Sequence, residues 1–321
     1  MPAVRAASTP RYSCFLDGAG FSGGENCLSD GDERLALDAA GLRVNPGVEV
    51  QLGSTPSYRL VRDAPHRTRF LGGYPLVWVS DPVTEFAAPY WAPRGWAAAL
   101  AQLRPGESGL SLPSQLGPAL HAVGALTDPA AGGSPDQPRA HQLGKAAAHF
   151  EAYSYAAVSC LAPPAHVVAL GDYQRALIGS GQAPLGDAQC QRRYGMHNEP
   201  IARFFLHQLR AAVARIVGRP VTPAYTYSVT YEAGAVLAPH TDREQCEYTL
   251  SLLIDATGDG EPWPLWLEAD GEPVAVRQRP GDALLFAGRR LRHWRDRLPD
   301  GRTSTSLLLH YVDEAFTGSL R

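Results

Sequence analysis

His240-Thr241-Asp242 places an imidazole and a carboxylate two residues apart. In an extended segment residues i and i+2 point to the same side, so this tripeptide delivers both groups to one spot. Two imidazoles and one carboxylate on one face of a metal, with the other face left open, form the donor set of non-haem iron(II) sites that use oxygen. The second imidazole must come from a later strand, and His293 fits. Nine residues beyond it stands Arg302, with Ser304 two residues on. A guanidinium takes a carboxylate through two parallel hydrogen bonds, and a hydroxyl on the same face adds a further donor. That pair suits the distal carboxylate of a dicarboxylic keto acid. Arg243, Glu244 and Glu247 read as surface charges, although Arg243 is close enough to the metal to touch a substrate carboxylate. His310 and Trp294 read as packing, and His197 as a structural residue near the pocket mouth.

Short strands must hold these groups. From Val221 onward the chain alternates strand-like runs with turn formers such as Gly258-Asp259-Gly260, Asp270-Gly271, Pro280-Gly281 and Asp300-Gly301. Tyr225, Tyr227, Val229 and Tyr231 share one face of the first run, and Thr226, Ser228 and Thr230 the other. Further strands are expected around Tyr248–Ile254, Trp263–Leu267, Val274–Gln278, Ala283–Phe286 and Ser304–Val312. Two helices precede them. One is Ala-rich, from Lys145 to Leu161; the other opens at Asn198 as N-cap with Pro200 in its first turn, and Gly218 and Pro220 stop it. Helices followed by a run of short strands predict a helix-supported β-sandwich or barrel.

The stretch from Tyr231 through His240-Thr241-Asp242, then His293, then Arg302-Thr303-Ser304, resembles the iron(II)/2-oxoglutarate-dependent dioxygenase superfamily. The resemblance covers roughly residues 195–315; no subfamily stands out. It implies an α+β chain: a double-stranded β-helix of the jelly-roll or cupin kind with supporting helices. It implies that His240, Asp242 and His293 hold Fe(II) and that Arg302 and Ser304 bind 2-oxoglutarate. Tyr231 matches a tyrosine that several members use on the cosubstrate, and Tyr248, on the strand after the metal tripeptide, is a further candidate contact. The activity implied is hydroxylation of an unactivated C–H bond with consumption of O2 and release of succinate and CO2. An amino acid, a peptide or another small natural product is the expected substrate. Asp242 stands where the halogenating branch lacks its carboxylate. The last strand, Thr305-Ser306-Leu307-Leu308-Leu309-His310-Tyr311, lacks the Asn and Arg of the base-repair branch. A metal-dependent β-barrel isomerase or hydrolase without a keto acid, or a non-catalytic barrel module, stays open as an alternative.

The bulk composition is compatible with this. The chain has 321 residues, 45% hydrophobic and 19% charged, enough apolar surface for a sizeable core. A formal net charge of −3 with no block of like charges gives no footprint for nucleic acid or anionic lipid. No apolar stretch reaches the roughly 18–20 residues of a membrane span, and no leader is recognisable at the N-terminus, so a cytoplasmic protein is expected. The five cysteines are scattered and never paired as C-x-x-C, which reads as free thiols. The expected division is an N-terminal α+β region over residues 1–140, of unknown role, and an oxygenase domain over 141–321 with its barrel core at 221–315. The N-terminal region carries no chemistry of its own and is expected to pack against the barrel mouth. Residues 127–140 read as a linker, and the oligomeric state is not encoded in any feature above.

Overall fold

In a computed structural model, residues 9–16, 41–53, 69–129 and 136–320 are described. The N-terminal part contributes β1 (Arg43–Val44), β2 (Val48–Gln51), β3 (Leu76–Ser80), β4 (Ala87–Trp91), α1 (Ala97–Leu100), α2 (Leu116–Ala122) and β5 (Leu126–Thr127). Then follow α3 (Asp136–Tyr153), β6 (Tyr155–Val158), α4 (Pro164–Gly179), β7 (Arg193–His197), α5 (Pro200–Gln208) and α6 (Arg210–Val217). The C-terminal strands are β8 (Val221–Tyr231), β9 (Leu237–His240), β10 (Tyr248–Ala256), β11 (Leu265–Ala269), β12 (Glu272–Val276), β13 (Ala283–Phe286), β14 (His293–Arg295) and β15 (Ser304–Asp313).

Two antiparallel sheets carry the site. The larger runs β6-β13-β10-β15-β8-β7 and the smaller β12-β11-β14-β9. From β8 to β15 the chain passes back and forth between them, only β11 and β12 being consecutive in one sheet. β15 shows why this segment pairs as it does. Leu307, Leu309 and Tyr311 are buried on one face, and Tyr311 Oη donates to the Leu206 carbonyl of α5 at 2.8 Å. Ser306, Leu308 and His310 take the other face and line a cavity. Period-two alternation thus gives the helices an apolar surface and the cavity a mixed one. Each buried leucine contributes about 1.5–3 kcal/mol, so a one-residue slip in register is strongly disfavoured.

The helices depart from expectation in detail. The Ala-rich helix ends at Tyr153, where Ser154 adopts φ 63, and residues 155–158 join the larger sheet as β6. Asn198 is not the N-cap: Glu199 is, its carboxylate accepting from the Ile201 and Ala202 amides at 2.8 and 3.0 Å. A break at Leu209 divides that helix into α5 and α6, and Gly218 closes it at φ 78, the left-handed conformation that a side chain resists. Part of the expected linker is helical, because α3 begins at Asp136. The expectation of free thiols needs correction too, since Cys160 is disulfide-bonded.

The three-stranded sheet β2-β3-β4 shares one buried cluster with α4, α5 and the outer face of the larger sheet, in which Tyr12, Trp91, Phe205 and Tyr311 are fully covered. Ala87 N also donates to Gln208 Oε1 of α5 at 2.8 Å. The described N-terminal residues therefore pack on the helices, and none of them lines the cavity. Expecting them at the barrel mouth overlooked the apolar face of α4 and α5, which needs cover. Among the described residues no helix is long and apolar enough to cross a membrane.

His166 of α4 lies in that cluster with no exposure, 2.5 Å from Tyr12 Oη, and burial pushes its pKa down to about 3. Between the ordinary histidine value of 6.5 and that level, the unfolded chain binds a proton that the folded protein refuses. Its contribution is therefore present at neutral pH and declines as pH falls through this window. Substitution His166→Gln removes the titration. The stability gap between wild type and variant, measured by urea unfolding, should narrow from pH 7 to pH 4 by an amount on the order of 1–3 kcal/mol. A constant gap would show that His166 titrates normally.

Candidate functional site

β9 and β14 are neighbours in the smaller sheet, with His240 directly opposite His293, and Asp242 follows β9 in the turn toward β10. Nε2 of His240 lies 3.7 Å from Asp242 Oδ1, and Nε2 of His293 lies 3.5 Å from the same oxygen. The remaining ring nitrogens decide what these groups can do. Nδ1 of His240 is 2.9 Å from the Ala238 carbonyl, and Nδ1 of His293 is 3.0 Å from the Leu291 carbonyl. A carbonyl oxygen only accepts, so each Nδ1 carries a proton, and in its neutral form each ring turns an Nε2 lone pair toward Asp242. Burial lowers the pKa of His293 against the pull of Asp242, which favours the neutral ring. Two lone pairs and a carboxylate oxygen thus converge with no hydrogen between them. Only a cation satisfies such a set, and its N,N,O chemistry fits a first-row dication.

The carboxylate is aimed from behind. Thr249 Oγ1 on β10 donates to Asp242 Oδ2 at 2.8 Å, leaving Oδ1 to the histidines. Thr249 has one proton, so its 3.0 Å contact with His310 Nδ1 must run from an Nδ1–H of His310. Burial lowers the pKa of His310 to about 4, in keeping with that neutral ring. The Asp242 amide donates to the Gly288 carbonyl at 2.9 Å, and a Cβ on Gly288 would collide with the Asp242 carboxylate. Cys246 is close enough to Asp242 and His310 to suggest a second acceptor cluster. Burial pushes its thiol up to about 11, however, and Sγ pairs with Tyr225 Oη at 3.0 Å, so it is held as a thiol.

The triad opens into a cavity of about 430 Å³ between the two sheets. Beyond the metal ligands its walls carry Arg193, Tyr231, Ser251, Phe286, Arg295 and Ser306. Arg193 is fully committed. Nε and Nη2 donate to Asp187 Oδ2 at 2.8 and 2.6 Å, and Nη1 donates to Tyr231 Oη at 3.1 Å. Asp187 also accepts from Tyr227 Oη at 2.6 Å; burial would raise its pKa, but these donors bring it down to about 2. Tyr227 can lie there because residue 195 is glycine: its hydroxyl end occupies the place of a Cβ. Tyr231, accepting from Arg193, keeps its own proton for a ligand.

Arg295 is different. It is buried between Tyr231 and Trp263, its guanidinium 4.6 Å from the Trp263 ring centre, with Nη1 donating to the Trp263 carbonyl at 3.1 Å. No carboxylate among the described residues pairs with it, and burial draws its pKa below the usual arginine value. The hydroxyls of Ser251 and Ser306, both cavity-lining, are likewise buried without a partner.

Of the residues picked out from the sequence, the structure brings together His240, Asp242 and His293, and sets Tyr231 in the same cavity. It does not bring Arg302, Ser304 or Tyr248 to the cavity wall. The Arg302 side chain lies over Gly258 and donates from Nη1 to the Glu261 carbonyl at 2.9 Å, tying down the turn before β11. Ser304 opposes Tyr231 at the start of β15 and shares the inward parity of Ser306, but the cavity wall on this strand begins at Ser306. Tyr248 points the other way from Thr249 and packs against Phe150 of α3, ring centres 6.1 Å apart. Arg193, Asp187, Tyr225, Tyr227, Arg295 and Ser306 escaped the sequence reading. For Arg295 a signal existed: it stands two residues after His293 on a strand and so shares its face.

No protein-family model matches the sequence, and neither does any curated protein. Solved structures do resemble it. A Pseudomonas putida prolyl-4-hydroxylase is 17% identical at a TM-score of 0.45, over 54% of this chain and 100% of that one. HygX from Streptomyces hygroscopicus, solved with nickel and 2-oxoglutarate bound, is 13% identical at 0.45, over 54% and 88%. A Trichoplax adhaerens prolyl hydroxylase, in complex with a peptide fragment of hypoxia inducible factor, is 14% identical at 0.48, over 57% and 95%. These likenesses are distant and cover about half of the chain; the roles of its residues rest on the distances given above.

Groups that aim ligands are tested through metal affinity. Thr249→Val removes the donor to Asp242 Oδ2, and Gly288→Ala pushes on the carboxylate. Each should weaken Fe(II) or Co(II) binding about 10–100-fold, read by chelator competition on protein shown by circular dichroism to be folded, because Thr249→Val also unpairs His310 and a Cβ at 288 also meets the Cys246 carbonyl. Unchanged affinity in both variants would mean that Asp242 is not a ligand.

Proposed function

We propose that this protein is an iron(II)- and 2-oxoglutarate-dependent oxygenase built on a double-stranded β-helix, and that Arg295 rather than Arg302 anchors the cosubstrate. The observation that carries the reading is the pairing, within one cavity, of an acceptor triad that calls for a dication with a buried guanidinium that has no counter-ion. A dicarboxylic keto acid has the two ends such a cavity needs. One is a chelating α-keto acid for the metal's open face, the other a carboxylate for the arginine. The passage of β8 to β15 between two sheets is the connectivity expected of the double-stranded β-helix.

His240, Asp242 and His293 would hold the iron. Bound there, the metal supplies the redox chemistry by which O2, 2-oxoglutarate and a C–H bond become succinate, CO2 and a C–OH group. Every other role belongs to the chain. Arg295 binds the far carboxylate, and the free proton of Tyr231 and the unpartnered hydroxyl of Ser306 complete its shell. Arg193, neutralised by Asp187, does not compete for the anion; it fixes Tyr231 as a donor. Leu265, Phe286 and Leu308 line the space between the poles and keep it poor in water. Hydroxylation of an amino acid, a peptide or another small natural product is the outcome we favour. A metal enzyme that used no keto acid would leave Arg295 buried and uncompensated, at a cost of several kcal/mol.

The deciding experiment is an anaerobic titration of Fe(II)-loaded protein with 2-oxoglutarate, following the visible charge-transfer band of the chelate. Arg295→Met keeps the bulk against Trp263 but removes the charge. It should raise the 2-oxoglutarate dissociation constant at least ~30-fold, as loss of one partner of a buried charge pair costs about 2–5 kcal/mol. Arg302→Ala should change it less than ~3-fold, because this half-buried side chain is not on the cavity wall and is tied to the Glu261 carbonyl. The reverse pattern would return the anchor to Arg302. Bound iron with no band in wild type would end the keto-acid reading.

A further inference from the structure

Once the cosubstrate is in place, one charge of the cavity remains unanswered. Asp187 neutralises Arg193. The dication, Asp242, the dianionic cosubstrate and Arg295 sum to zero. Arg243, the residue after the metal-binding aspartate, is left over: it lines the same cavity, and no carboxylate among the described residues pairs with it. Its side chain is exposed at the cavity rim, but it is held in place there. Its guanidinium stacks over the Tyr225 ring at 4.6 Å and donates from Nε to Tyr225 Oη at 3.2 Å. Tyr225 is itself fixed, with His310 stacked on its ring at 4.4 Å and the Cys246 thiol 3.0 Å from its hydroxyl. The planar fork is thus oriented before any ligand arrives, held by Tyr225 and by a hydrogen bond to the Cys246 thiol.

Resting on the oxygenase reading, we infer that the substrate is a carboxylate, and that Arg243 grips its carboxylate at the cavity mouth while the rest of the molecule reaches toward the metal. The leftover charge is a single positive one, which a carboxylate cancels; a phosphate monoester carries about −1.5 to −2 and would leave the loaded site negative. A guanidinium fork also matches a carboxylate through two hydrogen bonds. His197, stacked on Tyr227 at 4.2 Å, is on the same wall, and burial together with Arg243 lowers its pKa, so it adds a neutral polar edge and not a second cation.

The test uses the full chain loaded with Co(II) and saturating 2-oxoglutarate. Binding of 2-oxoglutarate is recorded first, from the change in the cobalt absorption spectrum. Three small molecules sharing one scaffold are then added: 3-phenylpropanoate, 3-phenylpropanamide and 3-phenylpropyl phosphate. Paramagnetic broadening of their proton resonances reports binding near the metal even at weak affinity. Broadening of the carboxylate should exceed that of the amide at least ~10-fold, the scale of a charge-assisted hydrogen bond, and should exceed that of the phosphate. Arg243→Gln should abolish the difference, and Arg243→Lys should keep part of it. Equal broadening of acid and amide, including none for either, overturns the inference, as does a carboxylate signal that survives Arg243→Gln. Preference for the phosphate overturns the choice of a monoanion. If the cobalt spectrum does not respond to 2-oxoglutarate, the oxygenase reading itself has failed; if it responds and the acid is not preferred, only the substrate assignment has.

Discussion

Three acceptors that face one another without a proton are the constraint on which this molecule turns. Both histidines turn an Nδ1–H to a carbonyl two residues back, Ala238 and Leu291, and each ring turns Nε2 toward Asp242 Oδ1 at under 4 Å. Left alone, that arrangement is repulsive, and the fold must hold it against the preference of the side chains to swing into water. It does so with two strands paired so that His240 opposes His293, a Thr249 hydroxyl behind the carboxylate, and a glycine at 288 where a side chain would displace it. The strain is small change against a dication's affinity for such a set. The sheet is, in this sense, a device for keeping an unfavourable cluster assembled.

Arg295 is the same idea with the sign reversed. A guanidinium sealed between Trp263 and Tyr231, with no carboxylate in reach among the described residues, is an unsatisfied cation held by packing. The neighbouring Arg193 shows what satisfaction looks like: three of its contacts go to Asp187 and Gln189, and the fourth to Tyr231. Two arginines a few ångströms from one tyrosine therefore differ: one is paired by the chain, and the other is left open for the binding role proposed above. What separates them is whether the chain has supplied the counter-ion. An anion reaching from this pole to a cation held by the triad would relieve both at once, which is the ground of the proposal above.

How far this was legible in the sequence differed from element to element. The strands from Val221 onward were readable because turn formers punctuate them and because β8 and β15 alternate cleanly; Ala283–Phe286 was found with its ends in place. Pattern was least informative where tertiary contacts override it. The Ala-rich segment after Tyr153 has helical composition, yet residues 155–158 pair with β13 because a sheet edge was available there. The convergence of His240 and Asp242 was legible because residues i and i+2 of an extended segment share a side, which needs no tertiary knowledge. Arg193 and Asp187 were not, because their meeting depends on how the loop before β7 folds back on that strand.

Arg302 lies elsewhere than its spacing suggests. Its spacing from His293 and the serine two residues later suit a carboxylate anchor, and parity alone would place it on the inner face of the strand. It lies before β15 begins, however, beside a Gly-Asp-Gly turn, and at that point the interior is already filled by Tyr231, Trp263 and Leu298. Its side chain accordingly runs over Gly258 to the Glu261 carbonyl. Arg295, two residues after His293, lines the cavity instead, and so does Ser306. Spacing along a chain counts residues, whereas a carboxylate responds to where the guanidinium ends. The two agree only if the strand has already started and the core has left room, and here neither condition holds for residue 302.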